Sequence, residues 1–192
     1  MRKSVLYSLC ACAMLVSASQ LAAHEEHHHH EHDSLGAHVH GEGQLEIAVE
    51  GKNVELYLSI PGVDVVGFEH QPKDDKQRQA VDEAIGFLRG NALIRAEGAQ
   101  CQLINSDVDS QLKTDTREHH HHDHDHDHSE TSHAEFRVTQ VLECEPGLSG
   151  QRIEAHLLEK YDSLERLQVT WITDGGQGSV RLRPQERFFE LP

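Results

Sequence analysis

The sequence predicts an α+β fold: a mostly antiparallel sheet with one main helix, plus a disordered His-rich N-terminal tail and a disordered mid-chain His-rich loop. Three observations predict it. Short segments with alternating apolar and polar residues recur along the chain. Only residues 74–89 carry apolar side chains at helical spacing. Two polar tracts without apolar periodicity hold 15 of the 18 histidines. The 192 residues leave room for one domain. Aromatics make up only 5%, so the core has to come from Leu, Val and Ile.

In chain order, Arg2 and Lys3 precede an apolar run from Val5 to Val16 and the small residues Ser17, Ala18 and Ser19. This is the layout of a cleaved secretory signal, assigned to residues 1–23. The run is too short to span a bilayer, so no membrane span is expected after cleavage. Two cut points compete: Ser17-Ala18-Ser19 fits the small-residue rule best, and a cut after Ala23 leaves Leu21 at the third position back. Loss of the signal removes Cys10 and Cys12 and leaves Cys101 and Cys144. In an oxidising compartment that pair reads as a disulfide, closing a loop of about 44 residues worth roughly 4 kcal/mol of chain entropy. Two buried thiols are the competing reading.

Residues 24–36 are assigned to the tail, and residues 37–192 to a single domain with an insertion at about 114–133. Leu45, Ile47 and Val49 alternate, Gly51-Lys52-Asn53 turns, and Val54, Leu56 and Leu58 alternate again, which predicts a hairpin ended by Pro61-Gly62. From Asp74 to Arg89, Val81, Ala84, Ile85 and Leu88 share one helical face, with acids in the first turn and Gly90 after the end. Residues 100–108 and 134–144 are strand candidates flanking the second His tract. That tract is then a hairpin loop whose base the cysteine pair ties. After a turn at Gly147–Gly150, Ile153, Ala155 and Leu157 alternate as a strand. Residues 158–164 are ambiguous and have room for one helical turn. Leu167, Val169 and Trp171 form a strand, Asp174-Gly175-Gly176 turns it into Ser179–Leu182, and Phe188–Leu191 adds a last short strand.

The formal charge, 17 − 33 = −16, excludes a nucleic-acid binder, which needs a basic face. The histidines point to metal instead. The first tract contains His24, His27, His28, His29, His30, His32, His38 and His40. The second contains His119, His120, His121, His122, His124, His126 and His128, with Asp123, Asp125 and Asp127. Neutral imidazole suits Zn, Cu and Ni, and in vitro the tracts are expected to take Ni(II) or Cu(II) as well as Zn(II). Extended His-Asp-His places imidazoles on one side about 6.6–6.8 Å apart, so a small bend gathers two or three on one ion. The aspartates add oxygen ligands or offset charge. Ordering a floppy tract costs about 1–2 kcal/mol per residue, so affinities should be moderate and exchange quick. Binding should weaken below about pH 6.

The order Ala37-His38-Val39-His40-Gly41-Glu42-Gly43-Gln44-Leu45, then Gly67-Phe68-Glu69-His70-Gln71-Pro72, a helix, Cys101, an acidic His-rich insertion and Cys144 resembles the ZrgA-type periplasmic zinc-uptake proteins of Gram-negative bacteria. The likeness covers nearly the whole mature chain through its HxHGxxxL start, GFEHxP stretch and mid-chain tract. It implies a periplasmic zinc-binding protein that works with an inner-membrane ABC-type zinc importer.

Within the ordered part, His38 and His40 have i, i+2 spacing and can chelate together. If hairpin and loop are neighbours, His70 joins them with Glu69 or Glu42 as carboxylate. Against this stand a loop-bonding role for His70 and a tail-end position for His38. His156, on the polar side of its strand pattern, reads as a surface residue, and His133 adjoins the second tract. His24-Glu25-Glu26-His27-His28 fits H-E-x-x-H, but it lacks the apolar helix face and third ligand of a metalloprotease, so no enzyme is expected. The competing function is a periplasmic buffer or resistance protein that sequesters excess Zn, Ni or Cu.

Overall fold

The computed structural model describes residues 39–112 and 134–192. The signal segment, most of the first tract (His24, His27, His28, His29, His30, His32 and His38), the whole second tract and His133 lie outside the described residues. The chain runs β1 (Glu42–Glu50), β2 (Asn53–Pro61), α1 (Gly62–Val66), α2 (Asp75–Gly90), β3 (Arg95–Glu97), β4 (Gln100–Ser110), β5 (Glu135–Glu145), β6 (Arg152–Glu154), α3 (Leu157–Lys160), β7 (Arg166–Thr173), β8 (Gly176–Leu182) and β9 (Phe188–Glu190).

Six strands form one sheet in the order β4-β5-β2-β1-β7-β8, and β3-β6-β9 form a second. Strands occupy 51% of the described residues and helices 19%, divided among three short helices. The α+β expectation with one main helix is therefore corrected: the protein is mostly β. The physical reason is that the strands pair into two sheets through contacts distant in sequence, which no local period reveals, and that β3 and α1, at three and five residues, are too short to show one. The large sheet is antiparallel except where β1 runs parallel to β7, with Gln44 opposite Gln168 and Ile47 opposite Trp171.

Alternation decides which face of the large sheet is covered. Leu45 and Ile47 of β1, Leu56 and Leu58 of β2, and Phe136, Val138 and Leu142 of β5 point inward and are fully buried or nearly so. Val81, Ala84, Ile85 and Leu88 of α2 pack into the same core, as do Ile153, Leu157 and Phe189. The Asp74 side chain caps α2 by accepting from the Gln77 N–H at 2.8 Å. Cys101 and Cys144 face each other across β4 and β5 and are joined as a disulfide. The Cys144 N–H donates to the Lys52 carbonyl at 2.9 Å, on the side away from Cys101. The bridge thus closes the open end of the β4–β5 hairpin, while Ser110 pairs with Phe136 at the other end.

The alternation of Ile153, Ala155 and Leu157 ends early as a strand. β6 stops at Glu154, and Leu157 opens α3. His156 sits at the start of α3 and is only 6% exposed, so its reading as a surface residue is corrected. Its ring meets Phe87 of α2 edge-on at 5.8 Å. Burial pushes the imidazole pKa below its ordinary value, Arg95 adds to this, and Glu154, Glu159 and a hydrogen bond to the Leu93 backbone oppose it. The unfolded chain takes up the proton near pH 6.5 and the folded chain only at lower pH, so stability is held above about pH 6.5 and lost below it. The urea midpoint should fall between about pH 7 and about pH 5, and should fall less in His156→Leu. Equal slopes for the two proteins would sink this assignment.

Candidate metal centre

The first described residues make a tight turn into β1. The Val39 carbonyl accepts the Glu42 N–H at 3.0 Å, and Gly41 at the third position has φ +80°. That is the left-handed value a type II turn requires there, which a side chain would strain. His40 occupies the outer corner, and its side chain is 58% exposed. The Gly41 carbonyl accepts from both Glu165 (2.9 Å) and Arg166 (2.8 Å), which seats the turn against the start of β7.

The second half of the site comes from the end of the hairpin. Pro61 ends β2, and α1 follows as little more than one turn. Gly67 caps α1 in the left-handed conformation at φ 86°, its N–H donating to the Val63 carbonyl. The chain reverses there and returns Phe68, Glu69 and His70 toward the start of β1. Two contacts result. The Gly41 N–H donates to Asp64 Oδ2 at 2.8 Å, and His40 Nε2 stands 3.1 Å from Glu69 Oε1. The Glu69 side chain is 14% exposed. Asp64 is buried, and burial is the main cause that raises its carboxyl pKa. The Gly41 N–H and His40 pull that pKa down, and Glu69 and Glu165 push it up.

The structure thus brings His40 together with Glu69. Glu42, the other carboxylate considered, is instead ion-paired with Arg166. His70 is exposed, stacks on Phe68 at 5.2 Å, and has its Nδ1 2.9 Å from the Gln71 carbonyl. Among the described residues, no group of three or more His, Cys, Asp or Glu is arranged to hold a metal ion. His38, the remaining member of the expected group, lies outside them. Among the described residues, Cys101 and Cys144 are tied up in the disulfide and are not thiolate ligands. Sequence reasoning missed Asp64. Its one signal is a lone acid inside the apolar stretch Gly62-Val63-Asp64-Val65-Val66, where a carboxylate has to be buried against a donor.

What the pair can do follows from donor spacing. Two ligands of a tetrahedral zinc ion with bonds of about 2.0–2.1 Å stand about 3.3–3.4 Å apart. The imidazole nitrogen and carboxylate oxygen sit within a few tenths of an ångström of that edge. They can serve as two of four ligands, with the rest supplied from elsewhere. No helix among the described residues is long and apolar enough to cross a membrane. A family model described as "ZrgA family zinc uptake protein" matches residues 37–191, which include every residue of this site. No curated protein matches the chain.

Proposed function

The chain belongs to the ZrgA family of zinc uptake proteins, and on that premise we propose that it captures Zn(II) in the periplasm and supports delivery to an inner-membrane ABC-type importer. The two His-rich tracts gather the ion, with Asp123, Asp125 and Asp127 assisting in the second. His40 and Glu69, with His38 and His70 close to them in sequence, offer an ordered pair of donors on the fold. The observation that carries this reading is the match of residues 37–191 to the zinc uptake family, and the 3.1 Å contact between His40 Nε2 and Glu69 Oε1 is compatible with two ligands of one tetrahedral zinc ion. Export by way of residues 1–23 agrees with the disulfide, since such bridges persist in oxidising compartments. Zinc is the cargo here, and the role assigns no catalytic residue.

Growth under zinc limitation tests the proposal. A strain lacking the protein should stop growing at a chelator concentration its parent tolerates, and the full-length protein supplied in trans should restore growth. Expression should rise when zinc is scarce. Unchanged growth under chelation, with poorer survival in excess zinc, would instead identify a sequestering buffer.

A further inference from the structure

We infer that Asp64 is a positioning residue that holds His40 in place for zinc capture. The inference rests on the proposed role of the His40–Glu69 pair. His40 lies at the exposed corner of the turn that leads into β1. Three bonds reach this corner from within the turn and from β7: the Val39 carbonyl accepts from Glu42, and the Gly41 carbonyl accepts from Glu165 and Arg166. None uses the N–H of the central peptide, between His40 and Gly41. That N–H goes to Asp64 Oδ2 at 2.8 Å.

Three features set this bond apart from ordinary loop bonding. Asp64 is 5% exposed, and burying a carboxylate is costly unless a donor meets it. The peptide it fixes has a defined orientation, because Gly41 at φ +80° is the type II form, whereas the type I alternative turns the same N–H away. Finally, Asp64 and Glu69 belong to one short segment, α1 and its capped end. The bond from Gly41 to Asp64 therefore fixes the backbone of His40 relative to the very segment that carries its partner carboxylate. A donor pair is useful only when both members are held by surrounding structure. Asp64 supplies that hold for His40, and Gly67 supplies it for Glu69.

Residue-resolved NMR on the full chain tests this, with free zinc set by a chelator buffer so that the tracts do not deplete it. Without metal, the Gly41 amide should be protected from exchange in the wild type and lose roughly tenfold or more of that protection in Asp64→Ala. With zinc, the His40 ring resonances should respond at roughly tenfold higher free zinc in Asp64→Ala. Asp64→Asn, which keeps an acceptor oxygen, should stay within about threefold of wild type. If Asp64→Ala unfolds, Asp64→Glu, whose carboxylate is displaced by one methylene, takes its place with the same expectation. An unprotected Gly41 amide in the wild type, an unmoved zinc midpoint in Asp64→Ala, or an Asn variant as weak as Ala would overturn the positioning role. A wild-type His40 ring indifferent to zinc, with Gly41 protected as expected, would instead overturn the zinc reading of this corner and leave the hold on His40 intact.

Discussion

Replacing Gln140 by Leu lowers the stability of the fold by about 3–5 kcal/mol. Gln140 faces inward on β5, in the same alternation as Phe136, Val138 and Leu142, and has no solvent exposure. Its Nε2 donates to the carbonyls of Leu88 (2.9 Å) and Asn91 (2.8 Å), and its Oε1 accepts the Leu93 N–H at 3.0 Å. One side chain thus serves the C-terminal end of α2, where carbonyls lack helical partners, and the chain leaving it. Leucine keeps most of the volume, so cavity formation contributes little. What remains is the desolvation of the Asn91 carbonyl and the Leu93 N–H, each worth about 1–3 kcal/mol when left without a partner, together with a weaker loss at the Leu88 carbonyl, which keeps a bond from the Ser106 hydroxyl at 3.4 Å. A domain of this size has about 5–15 kcal/mol in total, so the variant should be close to unfolding at physiological temperature. Urea denaturation should show a lower midpoint with an unchanged m-value. A loss below about 1 kcal/mol would mean that these groups find other partners, and the assigned role of Gln140 would be wrong.

Gln140 also shows which parts of the fold were legible in the sequence. The β1–β2 hairpin and α2 lie where periodicity placed them, because each buries a regular stripe against the core. Leu45, Ile47, Leu56 and Leu58 repeat every second residue, whereas Val81, Ala84, Ile85 and Leu88 repeat on one helical face. The Cys101–Cys144 pairing followed from the expected loss of Cys10 and Cys12 with the signal segment, which leaves only this pair. The fold class did not follow, because the evidence for it lies in long-range pairings. The β1–β7 contact joins segments more than a hundred residues apart, and β3, the strand that starts the second sheet, is too short to carry a period. Near residue 155 the pattern misled. Ala155 is buried as in a strand, but Leu157 and Leu158 are both buried in succession, which an alternating strand cannot do and a helical turn can. At the site, Glu69 was visible as a donor near histidine. Asp64 was not, because its role depends on a helix of five residues reversing the chain beneath Gly41.

Deleting residues 119–128 is expected to lower zinc stoichiometry by at least one ion while leaving the metal-free melting temperature within about 2 °C of wild type. The deletion removes seven imidazoles along with Asp123, Asp125 and Asp127, an unbroken run of ten nitrogen and oxygen donors. The hairpin above it closes without the tract. Ser110 pairs with Phe136, Gln111 Oε1 accepts the Glu135 N–H at 2.9 Å, and Leu112 is already buried. Shortening the connection by ten residues changes loop-closure entropy by about half a kcal/mol in the stabilising direction. Native mass spectrometry during zinc titration gives the stoichiometry, and calorimetry gives the melting temperature. An unchanged ion count would remove the second tract from the capture role, and a large drop in melting temperature would show that it packs against the fold. Zinc itself separates the two kinds of site. A ligand stabilises only in so far as it binds the folded form better than the unfolded one. Ions held by the tract alone coordinate equally well in either state and should hardly move the transition. An ion bridging His40 and Glu69 joins the turn before β1 to the segment after α1, a geometry present only in the fold, so it should raise the melting temperature. That rise should survive the tract deletion and disappear in His40→Ala. If it disappears with the tract instead, the histidine at the turn takes no part in holding the ion.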